Sequence, residues 1–144
     1  MRTVALRFAD NIAPPEGTIE THRRMIDTNG FVWYGKLGLP ISAKTKTVIM
    51  NNRSPRILLI HSGGTDRYWA YIDRIQNIIP AKQEFPSYYG ELAESMKTWF
   101  RVLELKKAEG NVMSKCVVSS SGAILSSASR HSMSPYFIID YDEE

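Results

Sequence analysis

The stretch "RILLIHSGGTDRYWAYIDRI", residues 56–75, decides the fold class. Two runs rich in β-branched and aromatic residues flank Ser62-Gly63-Gly64-Thr65-Asp66, and a Gly-Gly pair in that setting predicts an antiparallel hairpin, because glycine enters the tight turn without a Cβ clash. The second run alternates. Tyr68, Ala70 and Ile72 point to one side and Trp69, Tyr71 and Asp73 to the other, so one of the two sets is expected to face the interior of the curved sheet.

Outward from this hairpin, "VALRF" (4–8), "FVWYG" (31–35), "KTVIM" (46–50), "TWFRVLEL" (98–105), "KCVVS" (115–119) and "YFIIDY" (136–141) carry the same strand signature. "NIAPPEG" (11–17) interrupts with two prolines and a glycine, and the spacing of Ile19, His22 and Ile26 predicts a helix over 18–28 that stops at Asn29-Gly30. "YYGELAESMK" (88–97) reads as a second short helix, with Leu92 and Met96 one turn apart. Many short strands with a few helices between them predict an α+β fold with a curved β-barrel at its centre.

The 144 residues, 43% of them hydrophobic, suffice for one core and are too few for two ordinary domains. No apolar run approaches the roughly 20 residues of a bilayer-crossing helix, and the N-terminal stretch lacks the apolar run of a secretory signal. A soluble, cytoplasmic protein without a membrane partner is expected. Cys116 is the single cysteine, which excludes an internal disulfide and a thiolate zinc site, and His22, His61 and His131 share no metal-ligand spacing. Neither a metal nor a cofactor is expected.

Charge is segregated along the chain. Residues 1–60 hold nine Lys or Arg against four Asp or Glu, and between Asp27 and Asp66 the charged residues are Lys36, Lys44, Lys46, Arg53 and Arg56 alone. This run reads either as a solvated surface or as a strip that faces phosphates. No nucleophile elbow, Walker loop, dinucleotide fingerprint or zincin motif is present. "HSGGT" at His61 reads as a turn, and the nine serines between Ser114 and Ser134 read as loop hydroxyls able to bond backbone or phosphate. Nothing here demands an enzyme.

Aromatic residues are placed unusually. Trp33, Trp69 and Trp99 fall on strands, Trp99 within an apolar run that marks it as core, while "EFPSYYGE" (84–91) sets Phe85, Tyr88 and Tyr89 in a proline-flanked connection, over a barrel end or a flat ligand. Their order, "RFADN", helix, "VWYG", "ILLIHSGGTDRYWAYIDRI", aromatic loop, "TWFRVLEL" and "ILSSASRHSMSP", resembles the EVE and YTH branches of the PUA-like superfamily over residues 4–139.

The resemblance implies an EVE/YTH-type barrel that binds single-stranded RNA or extruded DNA bases and holds a modified base in an aromatic cage. Position by position it nominates Trp33 to open the cage with Tyr34 beside it, Tyr88 and Tyr89 as the opposing wall with Phe85 as a further candidate, and Asp10 and Asn11 as readers of the base edge. Arg130, with Ser129 and His131 adjacent, corresponds to the phosphate-holding position, and Lys36, Lys44, Lys46 and Arg53 supply further backbone contacts. Tyrosines replace the cage tryptophan of the YTH pattern, and Tyr34 stands where a small residue is usual.

The implied function is that of a non-catalytic domain, residues 1–140, that recognises a methylated base in DNA for a modification-dependent restriction system. The acidic residues 141–144 would then begin a linker to a fused or associated nuclease or motor ATPase. Two alternatives stay open: a reader of modified single-stranded RNA, and a small-molecule or nucleoside hydrolase of the related ASCH branch built on Lys36, Tyr88 and Glu91.

Overall fold

The computed structural model describes residues 1–143. Seven strands form one mixed sheet in the order β2-β5-β4-β3-β1-β7-β6, with β1 (Arg2–Phe8), β2 (Val32–Leu37), β3 (Arg56–His61), β4 (Arg67–Gln76), β5 (Met96–Lys107), β6 (Cys116–Val118) and β7 (Tyr136–Tyr141). The β1–β3 pair is parallel and every other pair antiparallel. The hairpin of residues 56–75 is β3–β4, with Gly63 at φ 79° in its turn.

The sheet is not closed, which corrects the expected barrel. It curls instead. Laid flat, β2 and β7 would stand about 24 Å apart at the usual strand spacing, yet the Lys36 ammonium on β2 lies 4.3 Å from the Tyr136 ring centroid on β7. The concave face is filled by Val4, Leu6, Ile57, Leu59, Ala70, Phe100 and Val102, under α1 (Thr18–Asn29) and α2 (Ala43–Met50). A second core lies on the opposite face, where Leu58, Ile60, Trp69 and Ile139 pack with Leu125 of α3 (Leu125–His131). Tyr68, Ala70 and Ile72 are the set that faces the interior of the curl, as one of the two was expected to, and Trp69 and Tyr71 join the second core on the opposite face. Among the described residues no helix is long and apolar enough to cross a membrane.

Two elements depart from expectation for local reasons. "KTVIM" belongs to α2, because Ser42 caps the helix by accepting a hydrogen bond from Thr45 N at 3.1 Å and only the Ile49 face needs burial. Residues 87–95 form 3-10 turns broken at Gly90 (φ 52°, ψ −133°), so Met96 already lies in β5 and Leu92 remains exposed. At the C-terminal end β7 runs through Tyr141, whose N–H donates to Met1 O at 2.7 Å, and Glu143 pairs with Arg56 at 2.8 Å. The expected acidic tail thus starts inside the sheet; its Glu144 lies outside the described residues.

One buried polar junction ties α1, β2 and the aromatic turn together. His22 Nδ1 lies 2.8 Å from Thr18 O, which can only accept, so Nδ1 carries the proton and Nε2 accepts from the Tyr89 hydroxyl at 2.9 Å. The same hydroxyl accepts from Gly35 N at 3.3 Å. A Cβ at Gly35 would overlap the sulfur of Met96, so the β2 backbone can approach β5 and the turn only as glycine. Gly35→Ala is expected to cost about 1–3 kcal/mol in urea denaturation, the range for overpacking a core.

Burial pushes the His22 imidazole down to about 4, against a smaller raising effect of its bond to Thr18 O. Because the unfolded chain then binds more protons than the folded one between pH 6.5 and 4, this contribution to stability is complete above the upper value. It is lost as the pH falls, by about 3 kcal/mol in all. Denaturation midpoints measured from pH 7 to 4 should drop accordingly, and His22→Gln should flatten the drop; an unchanged slope would assign it to other groups.

Candidate nucleic-acid interface

The curl leaves a cleft of about 250 Å³ where the end of β1 faces β2 and the turn after Pro86. Its walls include Asn11, Thr18, Tyr34, Lys36 and Tyr88, with Leu6, Phe8 and Met96 as apolar lining. That volume lies below the range typical of sites for drug-sized ligands and suits one flat ring system. Strand alternation aims Tyr34 and Lys36 the same way, and the Pro86–Tyr89 turn delivers Tyr88, whose ring meets Tyr89 edge-on at 5.2 Å. Burial raises the phenols of Tyr34 and Tyr88, keeping both neutral donors.

The cleft contains cations and no carboxylate among the described residues. Arg7 is consumed by structure: its guanidinium donates to the carbonyls of Ser129, Ser132 and Ser134, which anchors the loop ahead of β7. Lys36 is buried, and its ammonium donates to Leu37 O at 3.2 Å and Leu39 O at 3.0 Å beneath the Tyr136 ring. Desolvation pulls its pKa below the usual lysine value.

Next to the cleft, across Ser134, Pro135 and Tyr136, lies an open groove of about 880 Å³ between α2 and α3. Lys44, Thr45, Ser119, Ser120, Ser121 and His131 are among its lining residues, and none of the lining residues is acidic. The serine-rich segment thus supplies hydroxyls to a surface whose charge is positive, the combination that suits a phosphate backbone.

The structure separates the residues nominated from sequence. Trp33 is only 4% exposed and sealed among Phe85, Tyr89, Ala93, Met96 and Trp99, with its indole N–H donating to Glu84 at 3.1 Å. The expected open indole is therefore corrected: on a strand, Trp33 and Tyr34 point to opposite faces, and the Pro86–Ser95 turns cover the tryptophan face. Trp99 is fully buried in the same cluster, as expected for a core residue. Tyr89 borders the cleft, but its ring is 4% exposed and its hydroxyl is spent on His22 and Gly35; Phe85 is likewise core.

Asp10 also turns away from the cleft. It accepts from Thr18 N at 2.9 Å, capping α1 in place of the side chain that Gly17 lacks, and its other oxygen lies 3.1 Å from His61 Nε2. The Thr18 N–H, with His61 adding to it, holds this carboxyl below the usual range despite partial burial. Asn11, one residue on, does line the cleft. Lys44 lines the groove and Lys46 sits one position beyond Thr45 on α2, whereas the exposed Arg53 and Arg130 and the half-buried Ser129 line neither cavity. Lys36 and Tyr88 share the cleft wall, but Glu91 is exposed and does not line it, so the hydrolase constellation is not assembled. Thr18 and the Pro135 wall were missed; the period-2 rule alone would have shown that Trp33 and Tyr34 serve different faces.

A family model described as Pua-like matches residues 4–143. No curated protein and no solved structure matches the chain. Domains of this kind often bind nucleic acid, in keeping with a small cleft beside a groove free of acidic side chains. A match over nearly the whole length means that the chain belongs to the Pua-like family.

Proposed function

We propose that this Pua-like domain is a non-catalytic nucleic-acid reader that takes a single unstacked, modified base into the cleft between Tyr34 and Tyr88. The observation that carries the reading is the cleft itself: about 250 Å³, with two neutral phenols in its walls and no carboxylate, opening beside a serine- and lysine-lined groove. A base removed from a stack loses a few kcal/mol and recovers it only against aromatic and apolar surfaces with edge hydrogen bonds. Tyr88 supplies the more open ring and the buried Tyr34 borders it, while Asn11 supplies groups that both donate and accept and the Thr18 hydroxyl, donating to Ala9 O at 3.3 Å, is left to accept. Lys44 and the Ser119–Ser121 hydroxyls position the backbone.

The cage of this reading is built on Tyr34, with Trp33 as the packing behind it. DNA is the polymer favoured by the EVE-type resemblance, with the domain as the specificity element of a restriction system whose cutting or motor activity resides in a fused or associated partner. A modified single-stranded RNA is the competing ligand.

Fluorescence anisotropy with matched DNA and RNA oligonucleotides, modified and unmodified at one unpaired position, tests the proposal. Tyr88→Ala or Tyr34→Leu should weaken base-dependent binding by about 1–3 kcal/mol, the usual worth of a base-aromatic contact. Trp33→Phe should lower stability while leaving base preference intact. If the tyrosine variants discriminate as well as the parent, the cleft is not the base site. Lys44→Ala should weaken every oligonucleotide alike and reduce the slope of log affinity against log salt by about one.

A further inference from the structure

The stretch ahead of β7 carries an apolar side chain that the fold does not use. Met133 is 96% exposed, the highest value among the exposed large hydrophobics of the described residues, yet the chain around it is held firmly. Arg7 donates to the carbonyls of Ser132 and Ser134 on either side of it, the Ser134 N–H donates to the Ser132 hydroxyl at 3.1 Å, and the Ser134 hydroxyl donates to Tyr136 O at 2.7 Å. A single apolar residue on a surface is ordinary. One presented to water from a clamped backbone is not spent on packing, and its place is set before any partner arrives.

That place lies between the two cavities. Ser132, Ser134 and Tyr136 line the groove while Pro135 lines the cleft, so the chain alternates between them and Met133 falls on the side of Pro135, outside the cleft itself. Ile12 and Leu37, which line the cleft and are half-exposed, bring two more aliphatic side chains to its mouth. A strand that lies along the groove and sends one base into the cleft has to cross this ridge. Leu, Ile and Met are side chains that enter between the base steps of a duplex, where a displaced base leaves a gap in the stack. A single strand is held instead on aromatic platforms for successive bases, and none of the described aromatic residues is exposed.

We infer that Met133, with Ile12 and Leu37 at the cleft mouth, is a wedge that enters the stack next to the captured base, so that the site draws its base out of a DNA duplex instead of receiving it from a single strand. This rests on the base-capture reading above and adds to it the form of the polymer.

The test uses the whole chain and oligodeoxynucleotides carrying one central N6-methyladenine or 5-methylcytosine, each offered as a fully paired duplex and as the single strand, with 2-aminopurine as the neighbouring base. The parent chain should bind at least one of the modified duplexes and raise its 2-aminopurine fluorescence, because the wedge unstacks that neighbour. Met133→Ser should weaken duplex binding roughly tenfold, change single-strand binding by less than about twofold and abolish the fluorescence rise, whereas Met133→Leu should keep all three. The melting temperature should stay that of the parent in both variants, since the side chain is exposed. Equal losses on duplex and single strand, or no loss on either, would overturn the wedge and leave base capture standing wherever Tyr88→Ala still removes the base preference. A parent chain that leaves both duplexes unbound while holding a modified single strand through Tyr88 would overturn the duplex assignment in the same way. Binding indifferent to the base and to Tyr88 would overturn the two readings together.

Discussion

The hydroxyl of Tyr89 is the point on which the site depends. It donates to a histidine that has no water to turn to and accepts from the backbone N–H of a strand, so one oxygen joins the first helix, the second strand and the aromatic turn. Removing any member leaves a buried polar group without a partner, which is a heavier loss than the bond itself is worth. That asymmetry keeps the turn after Pro86 seated, and the seated turn is what presents Tyr88 to the cleft while it closes over Trp33.

The curl of the sheet works with this junction. Two cores grow on opposite faces of the same strands, so β1, β3 and the first half of β4 are covered on both sides, and the near-continuous apolar sequences of β1 and β3 have a simple cause. Concave packing under α1 and α2 brings the edge strand β2 round toward β7, and Lys36 bridges the gap with its charge on an aromatic ring. Because no ladder of hydrogen bonds joins β2 to β7, an opening persists between them. The cleft is therefore a product of incomplete closure: a fully bonded barrel would have filled the same volume with side chains.

Polar chemistry is partitioned between the two cavities. In the narrow one, cations and hydroxyls are set in an apolar wall, where a single hydrogen bond carries discrimination because an unmatched group is left dry. The groove beside it is open and rich in serine, and contacts there are worth less individually and depend on salt. Asp10, by contrast, caps the N-terminus of α1 and lies against His61, which spends its carboxylate on folding.

What the sequence determined by itself was whatever has a short-range cause. The Gly-Gly hairpin, the helix ended by Asn29-Gly30, all seven strands and the burial of Trp99 were legible because turn chemistry and side-chain period act within a few residues. α2 was misread because its one-sided burial imitated a β-branched run, and the residues after Tyr88 were misread because Gly90 breaks the helix. Tertiary structure alone decided which core each aromatic joins: Trp33 and Tyr34 are neighbours in sequence, and the turn that arrives from residues 86–95 covers the tryptophan, while Tyr34, 7% exposed, packs into the concave-face core and only borders the cleft. It also decided that the Lys36 ammonium rests on an aromatic ring, since Tyr136 reaches it only after the sheet has curled, and that Asp10, a cap for nearby Thr18, meets His61 across the β1–β3 pair.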